Sequence, residues 1–169
     1  MQRRSGAFLA GTALLVLVVD QISKAAIRAN FSLGESVPLI KGVIDLTYVR
    51  NTGAAFGLFP GKLPVFILIS VGVLGGIAWV WWRIKPQSRW VAVALGLVAG
   101  GATGNLIDRI VAGRVTDFFD LGWFPVFNIA DMALDIGVAI LLFWLLFSGD
   151  EFFEEAGEDA TEPEPEATS

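Results

Sequence analysis

FNIADMALDIGVAILLFWLLF, residues Phe127 to Phe147, opens on polar side chains and then runs apolar to its end. The run from Ile129 to Phe147 approaches the ~20 residues that cross about 30 Å of hydrocarbon at 1.5 Å per residue. Three further runs share this character: Gly6 to Ile22, Pro64 to Trp82 and Trp90 to Ile107. With 54% hydrophobic residues over 169 positions, the chain reads as a membrane protein crossing the bilayer four times. An even number of spans puts both termini on one side. The first run follows Arg3 and Arg4 as a secretory signal would, but Asp20 and Lys24 stand where a cleavage region would lie. An uncleaved first helix is therefore expected.

Between the first two spans, LGESVPLI and the β-branched stretch Val43 to Val49 read as two strands, with turn residues at Gly34 and Pro38. The fold class is thus an all-α membrane protein of four transmembrane helices carrying a small β-sheet. One domain is expected over residues 1–149, with the β segment at 27–62. Nine of the seventeen acidic residues lie between Asp150 and Glu166, leaving twelve basic and eight acidic side chains in the body. That tail, residues 150–169, is expected to be disordered and acidic. Gly96, Gly100 and Gly104 recur at every fourth position in the third run, as Gly72 and Gly76 do in the second, which predicts that both helices pack tightly in the bundle. Trp79, Trp81, Trp82 and Trp90 bracket the basic loop RIKPQSR as an interfacial belt would, although the overall charge count does not orient the chain.

The chain has no histidine and no cysteine, which removes Ser-His triads, thiol nucleophiles and histidine or thiolate metal sites. Carboxylates are the best-supplied chemistry. Asn105 and Asp108 lie three apart and share a helix face, with Arg109 four after Asn105. Asp20 and Lys24 lie four apart and can pair. Ser23 and Lys24, as neighbours on a helix, point about 100° apart, so a Ser/Lys dyad would require a broken helix. Asn128 followed three later by Asp131 has the form of a helix cap and a first-turn acid. Asp117, in VTDFFD, precedes this helix by a turn-length segment that can fold back toward Asp131. Two carboxyl groups brought together do not both ionise readily, so one stays neutral as an acid while the other serves as a base. Spacing alone does not choose Asp117 over Asp120, or Asp131 over Asp135.

Taken in order, Asp20 with Ser23 and Lys24, NTGAAFG (51–57), GGATGNLIDR (100–109), VTDFFD (115–120) and FNIAD (127–131) resemble the lipoprotein signal peptidase, or signal peptidase II, family across residues 6–147. Five blocks in the right order are specific where any one alone would not be. The resemblance implies an aspartic endopeptidase of the bacterial inner membrane. Its substrate would be a diacylglyceryl-modified prolipoprotein, cut before the lipidated cysteine near the extracytoplasmic surface. The resemblance further implies cytoplasmic termini, an extracytoplasmic sheet, no metal or other cofactor, no nucleic-acid partner, and sensitivity to globomycin; a monomer in contact with membrane lipid is expected. By motif match the catalytic pair falls on Asp117 and Asp131. Asp20, Lys24, Asn51, Gly53, Asn105, Asp108, Arg109 and Asn128 carry over as residues that bind substrate or support the site. Met132 and Asp135 depart from the usual pattern, and Asp135 is expected to raise the apparent pKa of the pair by like-charge repulsion.

Other classes fit less well. A proton-coupled transporter would spread ionisable residues through mid-span positions, whereas here they gather at span ends on one side. A structural subunit built on glycine-rich helices leaves the polar blocks unexplained, and the GxGD motif of presenilin-like peptidases is absent.

Overall fold

The computed structural model describes residues 2–53, 63–84 and 88–147. The acidic tail and the part of NTGAAFG beyond Gly53 lie outside these residues. Four helices, α1 (Gln2–Asn30), α2 (Leu63–Arg83), α3 (Arg89–Ala112) and α4 (Ile129–Phe147), are each long and apolar enough to cross a membrane. Three strands, β1 (Ser36–Ile40), β2 (Ile44–Asn51) and β3 (Val115–Asp120), form one antiparallel sheet in that order.

Three boundaries differ from the sequence reading, each for a local reason. Helix α1 continues past Ile22 to Asn30, so residues 27–30 of the expected β segment are helical. Its polar turns at Asp20 and Lys24 are buried in ion pairs instead of ending the helix. Helix α3 extends past Ile107 to Ala112 and stops where Gly113 adopts φ 68°, its N–H donating to the Arg109 carbonyl at 3.1 Å. This is the left-handed glycine stop common at helix C-termini. VTDFFD, which the sequence reading placed a turn-length segment before the fourth helix without assigning it a strand, is strand β3, paired with β2 so that Val49 opposes Asp117 and Asn51 opposes Val115.

Helix α3 forms the centre of the bundle. It buries residues along its length from Val91 to Asp108, whereas α2 buries only Ser70 among its described residues. The glycines explain the asymmetry. A Cβ on Gly96 would sit 2.7 Å from the Leu9 carbonyl oxygen, and one on Gly100 would sit 2.7 Å from that of Ala13. Helices α1 and α3 therefore run parallel with their backbones in contact. A Cβ on Gly101 would strike the Ala130 carbonyl oxygen, and one on Gly137 would lie 2.8 Å from that of Ala94, so α4 runs antiparallel against the other side of α3. Among the described residues nothing lies within 4 Å of a Cβ built on Gly72 or Gly76, so the close packing expected of both glycine-bearing helices holds for α3, against α1 and α4, and is corrected for the α2 glycines. Such close approach suits a bundle in lipid, where helices associate through backbone proximity and polar contacts in place of a hydrophobic driving force. Leu14, Leu15, Leu68, Phe143 and Leu146 are exposed on its outer surface, where a membrane protein meets lipid.

The sheet sits at one end of this bundle. Tyr48 of β2 and Phe118 of β3 pack on Ile27 near the end of α1, with Phe31, Leu46, Phe119 and Ile129 around them. The same end carries Asp20, Lys24, Asn105, Asp108, Asn128 and Asp131, so the polar ends of three helices meet two strands there.

Candidate active site

Helix α4 begins with a reciprocal cap. The Asp131 N–H donates to Asn128 Oδ1 at 3.1 Å, the Asn128 N–H donates back to Asp131 Oδ2 at 3.1 Å, and the Met132 N–H donates to the Asn128 carbonyl at 3.2 Å. This is a capping box with Asn and Asp in place of the commoner Ser and Glu, and it satisfies donors that a helix start leaves unpaired. The cap also fixes the Asp131 side chain. The next N–H, that of Ala130, donates to Asp20 Oδ1 at 3.0 Å, tying α1 to the first turn of α4.

Asp117 arrives from the sheet. Its Oδ1 accepts from Asn128 Nδ2 at 2.6 Å and its Oδ2 from Asn51 Nδ2 at 2.9 Å. Asp131 Oδ1 accepts from Asn105 Nδ2 at 2.7 Å. Each of the four carboxyl oxygens thus receives an N–H, three from asparagine side chains and one from the backbone. Gly53 contributes through its own N–H, which donates to Asn51 Oδ1 at 2.9 Å.

Behind the pair lies a buried charge cluster. Lys24, with no exposed surface, contacts Asp20 Oδ2 at 2.9 Å, Asn105 Oδ1 at 2.9 Å and Asp108 Oδ2 at 3.5 Å. Asp108 accepts the Thr116 N–H at 3.0 Å, and Arg28 spans Asp108 at 3.5 Å and the Thr116 hydroxyl at 3.1 Å. These bonds hold the residue before Asp117 to α1 and α3. Arg28 and Thr116 were missed in the sequence; Arg28 continues the four-residue spacing of Asp20 and Lys24 and was findable on that ground. Ser23 donates to the Asp20 carbonyl at 2.8 Å, within its own helix, as expected for a residue outside any dyad.

Asp117 and Asp131 line a common cavity of about 450 Å³. Its lining combines polar side chains, among them Asn51, Arg109 and Asp135, with apolar ones, among them Trp123, Phe124 and Met132. Arg109 lies with its guanidinium 5.3 Å from the centre of the Phe66 ring. No group of three or more acidic side chains converges as a metal site would need among the described residues. Burial pushes the Asp117 carboxyl up to about 6, and the Asp131 charge adds to the rise, while the Asn51 and Asn128 amides and Lys24 oppose it. Asp135 is exposed and lines the same cavity as the pair.

A raised carboxyl has a consequence for stability. Between the ordinary value of 3.8 and about 6, the folded chain holds a proton on Asp117 that the unfolded chain has released. Stability then falls as pH rises through that window, by roughly 3 kcal/mol from this group at about 1.4 kcal/mol per unit. Thermal unfolding of the wild type and of Asp117→Asn, followed from pH 4 to pH 7.5 in one detergent, should show this extra decline in the wild type only. Parallel curves would contradict the raised value.

A bundle of four membrane helices with two carboxyl groups held by amides in a cavity at one end defines a polytopic membrane protein with the makings of a carboxylate-based hydrolase. Comparison with known proteins makes this specific. Residues 12–147 match the family model described as signal peptidase (SPase) II. The chain is 50% identical over 139 residues to a lipoprotein signal peptidase of Syntrophomonas wolfei, covering 82% of this chain and 93% of that protein. It is 47% identical over 151 residues to one of Moorella thermoacetica, covering 89% and 96%. A bacterial membrane enzyme solved by the in meso method at 2.3 Å resolution superposes with a TM-score of 0.77 at 31% identity, over 94% of this chain and 92% of that one. The chain belongs to the signal peptidase II family of bacterial membrane peptidases.

Proposed function

We propose that the chain removes signal peptides from diacylglyceryl-modified prolipoproteins by cutting the peptide bond before the lipidated cysteine, with Asp117 and Asp131 as the catalytic pair. The observation that carries the reading is the placing of these two carboxyl groups on one cavity, each oxygen supplied with an N–H. The ionised member takes a proton from a water molecule as its oxygen attacks the carbonyl carbon. The neutral member donates its proton to the carbonyl oxygen, and collapse of the tetrahedral intermediate breaks the C–N bond with a proton passing to the leaving amine. Asn51, Asn105 and Asn128 hold the pair, Gly53 holds Asn51, and Arg109 offers its guanidinium to the peptide from the cavity wall. Asp20, Lys24 and Asp108 tie the helices and β3 together behind them.

Relatives named lipoprotein signal peptidase support the substrate class. The apolar side chains Trp123, Phe124 and Met132 in the lining suit a substrate that arrives with acyl chains. The sheet end is assigned to the extracytoplasmic surface of the inner membrane and both termini to the cytoplasm, in keeping with the basic Arg83 and Arg89 at the opposite end of the bundle. The chain is proposed to act as a monomer, and sensitivity to globomycin is carried over from the family resemblance. The test is cleavage of one prolipoprotein with and without its diacylglyceryl group by the purified protein in detergent. Binding energy from the lipid should favour the modified form by roughly tenfold or more in kcat/KM. Equal cleavage of both forms, or of neither, would contradict the proposal.

A further inference from the structure

Three asparagine amides face the two carboxyl groups, and each has its oxygen pinned by a group that can only donate. Asn51 Oδ1 accepts the Gly53 N–H at 2.9 Å, and Asn128 Oδ1 accepts the Asp131 N–H at 3.1 Å. Both of these pins belong to the backbone. Asn105 Oδ1 accepts from the Lys24 ammonium at 2.9 Å, a side chain that touches neither aspartate. An ammonium has three donors and no acceptor, and those of Lys24 are directed to Asp20, Asp108 and Asn105.

We infer that Lys24 is a positioning residue for the reaction, its ammonium fixing which end of the Asn105 amide faces Asp131. The inference rests on the assignment of Asp117 and Asp131 as the catalytic pair. During hydrolysis each carboxyl group passes between charged and neutral forms. An amide is nearly symmetric in shape, so a free asparagine beside a neutral carboxyl can turn its oxygen inward and accept the acid proton. With Lys24 in place that turn would set the Asn105 NH₂ against an ammonium, donor against donor. Asn105 Nδ2 therefore stays on Asp131 Oδ1 at 2.7 Å whichever form the aspartate takes. The proton is left for exchange on the cavity side, where substrate and water enter. The effect reaches Asp117 as well. Asn128 Nδ2, bonded to Asp117 Oδ1 at 2.6 Å, also lies 3.2 Å from Asn105 Oδ1, so the same pinned oxygen helps hold the second amide.

The test uses the full chain in detergent with a purified diacylglyceryl prolipoprotein. Lys24→Met preserves length and removes the cation. Because it leaves Asp20 without its partner, Asp20→Asn/Lys24→Met is made beside it and compared with Asp20→Asn alone. In the double variant residue 20 keeps an oxygen for the Ala130 N–H, and Asp108 keeps Arg28 at 3.5 Å. Loss of one preorganised contact in a catalytic site should lower kcat on the order of 100-fold while KM stays within about threefold. In an Asn105→Ala background, with each variant compared at its own pH optimum because the Lys24 charge also bears on Asp117, the further loss from removing Lys24 should be small. Folded Lys24 variants with unchanged kcat, or losses at Lys24 and Asn105 that multiply, would overturn the inference and leave the catalytic pair standing. Turnover retained by Asp117→Asn or Asp131→Asn in the same preparations would instead overturn the assignment of the pair.

Discussion

Asp117→Asn and Asp131→Asn are each expected to lower kcat for prolipoprotein cleavage by ~10³-fold or more, the scale associated with loss of a general acid or base that acts with a partner. Asparagine preserves size and most packing, so the bundle should remain folded. What changes is proton chemistry. An amide neither takes a proton from water nor donates one as an acid, and the remaining aspartate cannot fill both roles. Substrate binding should persist, since the apolar lining residues and Arg109 are untouched, and KM should move far less than kcat. Rates and circular dichroism on the same detergent-solubilised samples check the result. A folded variant at either position with near-normal turnover would remove that residue from the reaction.

Gly101→Val should have the largest effect on the fold. Even the first added carbon would strike the Ala130 carbonyl oxygen and lie 3.0 Å from Leu134 Cγ. The obstructing atom is backbone, so α3 and α4 must part. Overpacking of this kind costs about 1–3 kcal/mol and occasionally more, and valine adds two methyl groups to the conflict. The displaced segment, Ala130 and Asp131, carries the bond to Asp20 Oδ1 and one of the carboxyl groups. Misplacement by about 1 Å can cost 100-fold in rate, so activity should fall even in the fraction that folds. Gly72→Ala provides the contrast: with nothing among the described residues within 4 Å of the added carbon, melting temperature and activity should both hold. Equal melting temperatures for Gly101→Val and the wild type would contradict the packing described for α3.

These two cases also show what was legible in the sequence. Four spans were evident because each run came close to the length of a bilayer crossing. The Asn128 and Asp131 cap was readable because it is local, with both partners within one turn. The glycines of α3 announced close approach, but period four says only that a helix face is small; the partners, α1 and α4, are set by tertiary contacts. Strand β3 was hidden by its aspartates, which interrupt the apolar alternation a strand usually shows, while its pairing comes from β2, more than sixty residues earlier. The end of α1 was hidden for a related reason. Asp20 and Lys24 look like the edge of a span until Asp108 and Asn105 of α3 are seen to enclose them. The family resemblance pointed to Asp117 and Asp131; the three amides that hold them come from β2, α3 and the start of α4, an arrangement no spacing reveals.

If Asp117 and Asp131 form one catalytic unit, removing the second after the first has little left to take away. Single-turnover cleavage of a purified diacylglyceryl prolipoprotein by Asp117→Asn, Asp131→Asn and the combined variant measures this directly. The rate of the combined variant should lie within about threefold of the slower single variant, as non-additivity within one unit requires. Losses that multiply, or a single variant that cleaves at the wild-type rate, would contradict a shared site.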